Sequence, residues 1–239
     1  MGLALHPALE GARACIFDAG GTLVHPDWPR LSRIVQEVTG HDFQSRDMGR
    51  AFGEMMREVA IEMHSDGFVL PEEMKQSHWT FRRLYKALGL NESSAGDAVE
   101  RIAAAHLERH LWCGVDPNAA GVLKELKRHG LILAVISNTE DGRLIDSLDA
   151  SGISGCFDLL IDSHLVGIRK PDSAIFRLAL EKLEVEARDA AYIGDSYAYD
   201  AMPALASGLR AILLDPLDLH PESICPRIES LDELCGDDA

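Results

Sequence analysis

The sequence predicts an α/β protein that has a doubly wound parallel-sheet core and an inserted all-helical domain. From about residue 116 onward, short apolar runs alternate with segments of helical spacing, and this alternation is typical of a parallel sheet covered by helices on both faces. The first apolar run ends at Phe17, whereas the next one begins at Leu131. The long interval between them indicates an insertion into the core.

The strands are predicted from short apolar runs that are bounded by Gly, Asp or Pro. Because these runs are apolar at consecutive positions, they predict strands that are buried on both faces of the sheet. The runs are residues 14–17, 131–136, 157–161, 190–193 and 211–214.

The helices between these strands are predicted from apolar residues spaced three or four positions apart. Gly130, Gly152 and Gly208 each follow such a segment and are typical helix stop signals. Asp172 or Ser173 can cap the start of one helix. The apolar positions are Ala120, Leu123 and Leu126; Leu144, Ile145 and Leu148; Ile175, Ala179 and Leu183; and Ala201, Leu205 and Ala206.

The insertion contains four amphipathic helical patterns and no convincing strand. Because Pro and Asp cluster near Pro26 and Asp116, we predict that residues 1–25 and 116–239 form the α/β core and that residues 26–115 form the helical domain. The apolar positions of the four patterns are Leu31, Ile34, Val35 and Val38; Met48, Phe52, Met55, Met56, Val59 and Met63; Phe81, Leu84, Tyr85 and Leu88; and Val99, Ile102, Ala103, His106 and Leu107.

Composition and charge exclude several classes of partner. The 239 residues include 23 Lys and Arg against 39 Asp and Glu, which gives a formal net charge of -16. A surface this acidic repels phosphate backbones and anionic lipids, so we expect neither a nucleic acid nor a membrane as a partner. The first 13 residues lack the layout of a signal peptide, and the five cysteines are scattered without a C-x-x-C motif. We therefore expect a cytoplasmic protein without a disulfide framework.

Polar residues directly follow three of the predicted strands. These residues are Asp18, Ser137 and Asp195, and we expect them to line a site because ligands bind at the carboxyl edge of open parallel sheets. Asp18 is followed by Gly20 and Gly21. Paired glycines let backbone amides approach an anion closely, as they do in phosphate-binding loops.

A second carboxylate, Asp200, follows Asp195 by five residues. Carboxylates that converge on one edge of a sheet repel each other unless a cation lies between them. Hard oxygen ligands with open positions favour Mg²⁺, which keeps water ligands and accepts phosphate oxygens of a substrate. The residues therefore predict a magnesium site at this edge.

Four short motifs occur in a fixed order along the chain. They are D-x-x-G-T-L from Asp18, Ser137-Asn138, Lys170-Pro171-Asp172 and G-D-S-x-x-x-D from Gly194. Their order and spacing, over the whole chain, resemble those of the haloacid dehalogenase-like hydrolase superfamily. The resemblance implies a Rossmann-like core, and the helical insertion resembles the mobile cap that this superfamily places between its first two motifs.

The resemblance also implies roles for individual residues. Asp18 would be the nucleophile that forms an aspartyl intermediate. Thr22 and Ser137 would bind the transferring group, and Lys170 would neutralise the nucleophile and the phosphate. The expected metal ligands are Asp18, Gly20, Asp195 and Asp200, and the expected cofactor-binding positions are Gly21 and Asn138.

Gly20 departs from the phosphatase pattern of the superfamily, which carries Asp at this position as the general acid. The backbone carbonyl is retained, but the proton donor is lost, and such a loss lowers rates by about 10²–10⁴-fold for substrates that need an acid. The dehalogenase members also lack this Asp, because a departing halide needs no proton. They have no use for Mg²⁺, however, and typically carry Ser-Asn where this chain has Gly194 and Asp195.

The retained Asp195 favours an Mg²⁺-dependent hydrolase of small phosphorylated metabolites. One alternative is a metal-free 2-haloacid dehalogenase that uses Asp18 as its nucleophile. Another is a weakly active member of the superfamily that binds a phosphorylated ligand or a protein partner. His25, which lies just past the first motif, is a candidate substitute for the missing proton donor, because histidine titrates near neutral pH.

Overall fold

The computed structural model describes residues 3–63, 69, 71–75 and 77–236. The chain divides into two compact units. The first, called here the core unit, comprises Met1–His25 and Gly114–Ala239, and the second, called the inserted unit, comprises Pro26–Cys113. Among the described residues, no helix has the length and apolar composition of a membrane span.

A parallel sheet forms the centre of the core unit. In chain order, the strands of the described residues are β1 (Ala4–Leu5), β2 (Ala14–Phe17), β3 (Val24–Pro26), β4 (Trp112–Val115), β5 (Ile132–Ser137), β6 (Leu159–Asp162), β7 (Ala190–Gly194), β8 (Arg210–Leu214), β9 (Arg227–Ile228) and β10 (Cys235–Gly236). Six of these described strands form the sheet in the order β6-β5-β2-β7-β8-β9, and all of the pairs are parallel. The parallel sheet predicted from the sequence is confirmed.

The register of the sheet brings the ends of its central strands to one edge. Phe17, the last residue of β2, pairs with Val135 of β5 and with Ile193 of β7. Every residue of β2 and β7 is buried, which explains why these strands read as uninterrupted apolar runs. The polar residues that follow β2, β5 and β7 therefore emerge side by side.

The inserted unit contains the helices α1 (Trp28–Thr39), α2 (Ser45–Met63), α3 (Trp79–Ala87) and α4 (Glu92–Glu108). Local signals fix the ends of some of them. The Asp27 carboxylate accepts a hydrogen bond from the Arg30 amide at 3.1 Å at the start of α1, and Gly40, with φ at 74°, ends that helix. The Phe52 ring lies 5.6 Å from Trp28 and 6.1 Å from Trp112 between centroids, and the three half-buried rings form an aromatic cluster in the unit.

The core unit contains the helices α5 (Ala119–Arg128), α6 (Leu144–Ala150), α7 (Ser163–Val166), α8 (Ser173–Leu183) and α9 (Met202–Ala206). One predicted helix differs from the sequence expectation: a π-helical turn, Tyr197–Ala201, precedes α9. The short elements α7 and β9 carry too few residues to show a hydrophobic period, and the sequence did not predict them.

The prediction that residues 26–115 contain no strand is wrong. The chain passes between the two units within β3 and β4, and these two strands pair with each other. The residues of β4 are half-buried or exposed without alternation. Such a strand carries no period-two pattern, so only its pairing with a segment distant in the sequence defines it.

Candidate active site

Asp18 stands at the start of a tight loop that follows β2. Its amide donates to the Ile193 carbonyl at 2.8 Å and so extends the sheet by one residue. The loop then closes on itself, because the Ala19 carbonyl accepts the amides of Leu23 and Val24, both at 2.9 Å. Gly20 lies within this turn and bridges to Val24.

Gly21 lets the first loop approach the loop that follows β7. Its φ is 100°, and a Cβ at this position would lie 2.2 Å from Asp195 Oδ2. A side chain is therefore excluded both by the backbone conformation and by the contact. The close approach places the Gly21 backbone directly against the Asp195 carboxylate.

The loop after β7 holds Asp200 through its own backbone. The Ser196 amide donates to Asp200 Oδ2 at 3.0 Å, and Ser196 Oγ accepts the Tyr199 amide at 3.2 Å. A Cβ on Gly194 would lie 2.5 Å from Asp200 Cγ, so the glycine leaves room for this carboxylate. The predicted G-D-S-x-x-x-D motif thus forms one compact turn.

Three carboxylates and one lysine meet at this edge of the sheet. Oxygen atoms of Asp18, Asp195 and Asp200 lie within 4.8 Å of one another. The Lys170 ammonium donates to Asp18 Oδ1 at 2.5 Å and to Asp200 Oδ1 at 2.6 Å. Lys170, Asp18 and Asp200 are all buried. One cation thus faces three acidic groups.

Thr22 and Ser137 lie at the same edge of the sheet. Thr22 Oγ1 lies 3.5 Å from both Asp18 Oδ2 and Asp195 Oδ1, so it is within reach of two carboxylates. Ser137 is the buried last residue of β5 and pairs in register with Asp162 of β6. The hydroxyl groups that the sequence predicted for the site therefore follow the same strand ends as the acidic groups.

Asn138 fixes the backbone of Lys170. Its side-chain amide donates to the Lys170 carbonyl at 2.9 Å, and its Oδ1 accepts the Lys170 amide, also at 2.9 Å. The sequence predicted Asn138 as a cofactor-binding residue. In the structure both ends of its amide group are bound to Lys170, so Asn138 positions the lysine.

Tyr192 belongs to the site and was missed in the sequence analysis. Its hydroxyl accepts a hydrogen bond from Lys170 Nζ at 3.0 Å and lies 3.1 Å from Asp200 Oδ1, to which it can donate. A tyrosine inside a predicted fully buried strand needs a polar partner for its hydroxyl. That requirement was the available signal in the sequence.

Burial and mutual repulsion shift the pKa values in this cluster. Burial raises the pKa of Asp18 to about 6; the Lys170 charge opposes this shift, and Asp200 adds to it. Burial, followed by the charges of Asp18 and Asp200, raises the pKa of Asp195 well above its ordinary value. Burial lowers the pKa of Lys170, but the two carboxylates outweigh burial and raise it overall. The lysine therefore stays charged, while two acids resist ionisation.

These shifts predict that the metal-free protein loses stability as the pH rises. The pKa of Asp18 is raised from 3.8 to about 6 on folding, so between these values the folded chain binds more protons than the unfolded chain. The free energy of unfolding should then fall by about 1–3 kcal/mol between pH 4 and pH 7. Urea denaturation in EDTA at several pH values measures this slope.

Asp195→Asn removes one of the two raised carboxyl groups and should flatten this pH dependence. Asp146→Asn is a matched control, because Asp146 is ion-paired with Arg143 on the surface of α6. Identical slopes for the wild type and Asp195→Asn would contradict the assignment of a raised pKa to Asp195.

His25, the candidate proton donor, lies beside Asp116. Its Nε2 is 4.0 Å from Asp116 Oδ2. Burial lowers the pKa of His25, and the Asp116 charge opposes the shift. The imidazole of His25 therefore lies next to the Asp116 carboxylate, which belongs to the segment that follows β4.

Comparison with known proteins shows relatives of two activities along most of the chain. A ribulose-1,5-bisphosphate 5-phosphatase of Halopiger xanaduensis is 28% identical over 216 residues, which cover 86% of this chain and 85% of that protein. An (S)-2-haloacid dehalogenase 4A of Burkholderia cepacia is 27% identical over 235 residues, which cover 95% and 94% of the two chains.

Other curated relatives match over a shorter segment. The mouse haloacid dehalogenase-like hydrolase domain-containing protein 3 is 40% identical over 115 residues, and the match covers 47% of this chain and 45% of that protein. The match to a phosphoserine phosphatase of Thermus thermophilus likewise covers 52% of that protein. The chain thus spans about half the length of several of the curated relatives that it matches.

Solved structures share the fold at low sequence identity. The HAD-hydrolase YfnB of Bacillus subtilis, bound to magnesium, has a TM-score of 0.68 at 21% identity, and the alignment covers 93% of this chain and 96% of that one. An L-2-haloacid dehalogenase of Xanthobacter autotrophicus with chloropropionic acid covalently bound has a TM-score of 0.59 at 18% identity and the same coverage. Since the model of the haloacid dehalogenase-like hydrolases also matches residues 12–208, which is most of the chain, the protein belongs to this family of hydrolases.

Proposed function

We propose that the chain is an Mg²⁺-dependent phosphatase that hydrolyses small phosphorylated metabolites through an aspartyl-phosphate intermediate at Asp18. The observation that carries the proposal is the charge of the site: the oxygens of Asp18, Asp195 and Asp200 lie within 4.8 Å of one another, and Lys170 supplies one positive charge to them. A metal-free dehalogenase would have no use for the additional carboxylate of Asp195. The phosphatases among the relatives support the same substrate class.

The donor set fits a magnesium ion. Carboxylate and carbonyl oxygens are the ligands that Mg²⁺ prefers, and the Asp195 carboxylate occupies the place beside the Gly21 backbone that a Cβ would fill. Asp18, the Gly20 carbonyl and Asp195 would hold the ion. Asp200 Oδ1 accepts from Lys170 and Tyr192, and Oδ2 accepts from Ser196. Because Asp200 already accepts these three hydrogen bonds, its carboxylate has few lone pairs left for a metal ion. It would instead orient Lys170 and the loop that follows β7.

The residues divide the first half of the reaction between them. Lys170 holds Asp18 Oδ1 at 2.5 Å and favours the ionised carboxylate. An Asp18 oxygen attacks phosphorus, the new O–P bond forms as the bond to the leaving oxygen breaks, and the leaving group departs with the electron pair. A bound magnesium ion would neutralise charge on the phosphoryl oxygens and on Asp18.

In the second half of the reaction, water attacks the phosphorus of the aspartyl phosphate. The O–P bond to Asp18 breaks, inorganic phosphate leaves, and the Asp18 carboxylate is restored. Thr22 and Ser137, which lie at the same edge, would donate hydrogen bonds to the phosphoryl oxygens in both halves. Asn138 keeps the Lys170 backbone in place throughout.

A second candidate function is dehalogenation of short 2-haloacids. The observation that favours it is Gly20, which leaves no carboxyl group at the position of the general acid. A halide needs no proton, so Asp18 and Lys170 would suffice for displacement at carbon. A weakly active protein that binds a phosphorylated ligand is the third outcome that the assays distinguish.

The assay that separates these functions combines two substrates with and without metal. We expect phosphate release from p-nitrophenyl phosphate with Mg²⁺ and its loss in EDTA. Chloride release from 2-chloropropionate in EDTA, without phosphatase activity, would assign the chain to dehalogenation instead. Binding of phosphate with turnover of neither substrate would indicate the ligand-binding protein.

Asp195→Asn should weaken Mg²⁺ binding in the absence of substrate. Positions that only support metal ligands change metal affinity by about 10–100-fold when they are mutated, so we expect a loss of at least this size for a direct ligand. Isothermal titration of the metal-free protein with Mg²⁺ measures it. Asp146→Asn, on the surface of α6, should bind Mg²⁺ as the wild type does. Equal affinity in the wild type and Asp195→Asn would contradict the proposed site.

A further inference from the structure

The segment that follows β8 is tied to the carboxyl edge of the sheet through Asp215. Asp215 Oδ1 accepts the Leu219 amide at 2.8 Å, and Oδ2 accepts the His220 amide and Arg227 Nη1, each at 2.9 Å. Asp215 is buried. One carboxylate therefore holds the segment at three points and fixes the backbone position of His220.

His220 stacks on the loop that carries the acidic residues of the site. The rings of His220 and Tyr197 lie 5.5 Å apart between centroids, at an interplanar angle of 25°. His220 is 6% exposed. Among the described residues, its Nδ1 has no hydrogen-bond partner, although Glu222 Oε1 lies 3.5 Å away. The imidazole therefore contacts Tyr197 through its ring face.

Tyr197 begins the π-helical turn that positions Asp200. In this turn the amides of Asp200 and Ala201 both donate to the Ser196 carbonyl, at 2.9 and 3.1 Å. π-Helical turns are rare and occur often at functional sites. In this structure the His220 ring packs against one face of Tyr197, the first residue of the turn.

We propose that His220 is a positioning residue: by stacking on Tyr197 it holds the π-helical turn that carries Asp200. The Ser196 amide, which donates to Asp200, directly follows Asp195, so the same turn keeps Asp195 in the geometry needed to bind the divalent cation. The part of the inference that concerns the cation rests on the proposed function. The part that concerns the turn does not, because the contacts are made between residues of the chain itself. Asp215 fixes the backbone of His220 by accepting its amide, and Arg227 donates to the same oxygen of Asp215.

Amide hydrogen exchange in metal-free protein tests the first part. His220→Ala should speed exchange at residues 196–201 by about two- to tenfold, the range expected for a lost ring contact. His220→Phe keeps a stacking ring and should restore slow exchange. His41→Ala is the matched control, because His41 stacks on Phe43 in the inserted unit, with centroids 6.0 Å apart, and exchange at residues 196–201 should then match the wild type.

Magnesium titration tests the second part. His220→Ala should raise the Kd for Mg²⁺ by about tenfold, as loss of a supporting residue behind a metal ligand does, and saturating Mg²⁺ should restore turnover. If His220→Ala fails to fold, Tyr197→Leu removes the same stack from the other side and should have the same two effects.

Two results would overturn the inference. The first is wild-type exchange at residues 196–201 in His220→Ala or in Tyr197→Leu. The second is an equal defect in His220→Phe and His220→Ala, which would assign the effect to the imidazole nitrogens. A wild-type protein that binds no Mg²⁺ would overturn the proposed function, and the exchange experiment would still decide the role of His220.

Discussion

Asp18→Asn should lower kcat for an aryl phosphate by at least about 10⁴-fold, the size of loss seen when a covalent nucleophile is removed. The amide is nearly isosteric with the carboxylate but cannot attack phosphorus. The fold should persist, because Lys170 keeps its 2.6 Å contact with Asp200. The melting temperature at pH 7 should not fall, since the variant removes a buried acid whose pKa is raised on folding. Steady-state kinetics and thermal denaturation measure the two effects.

Two further measurements give this prediction a sharp control. Asp146→Asn makes the same chemical change at an ion-paired surface position of α6 and should retain wild-type kcat. Beryllium fluoride with Mg²⁺ mimics a phosphorylated aspartate, so it should protect the wild type against proteolysis and should not protect Asp18→Asn. Activity of Asp18→Asn within tenfold of the wild type would exclude Asp18 as the nucleophile.

Aryl phosphates should be hydrolysed with a kcat/KM about 10²–10⁴-fold higher than that of alkyl phosphates, because this is the contribution that a general acid normally makes. Gly20 supplies no proton to the leaving oxygen. A phenolate carries its negative charge far better than an alkoxide does, so aryl esters suffer little from the missing acid. Parallel kinetics on p-nitrophenyl phosphate and glycerol phosphate measure the ratio.

Gly20→Asp should raise alkyl phosphate turnover selectively. Gly20 forms a β-bridge with Val24 and is not among the described glycines with a positive φ, so its backbone conformation accepts a side chain. Gly121→Asp is the matched control, because a Cβ at this exposed position of α5 would meet no atom within 4 Å, and its aryl-to-alkyl ratio should equal that of the wild type. Comparable wild-type rates on both ester types, with an alkyl-selective loss in His25→Ala, would contradict the prediction and identify His25 as the donor.

The amino-acid sequence by itself determined the parallel sheet and the order of its motifs. Consecutive buried positions in β2 and β7 leave an apolar run that can be read without any partner strand. Helical spacing in α1 and α4 is equally local, because residues three or four positions apart share one face. The parallel direction of the strands then placed Asp18 and Asp195 at one edge.

Only the tertiary structure decided which atoms meet at that edge. The resemblance implied that Lys170 neutralises Asp18, and these residues lie 152 positions apart. No local pattern in the sequence specifies that the same ammonium group also contacts Asp200. From the sequence, the side-chain amide of Asn138 could bind either a ligand or the backbone. Its two hydrogen bonds with the Lys170 backbone depend on how two loops pack together. Side-chain partners of this kind are set by the folded geometry.

The partners of Tyr192 and His220 could not be predicted from the sequence, because they too are set by the folded geometry. Tyr192 is one buried residue of an apolar strand, and its hydroxyl contacts Lys170, which lies 22 positions away in a different segment of the chain. His220 can stack on Tyr197 because β8 pairs with β7, which brings the segments that follow the two strands together. Local sequence patterns define strands and helices because the relevant neighbours lie within a few residues, whereas contacts across the sheet edge depend on strand order and register, which the fold alone sets.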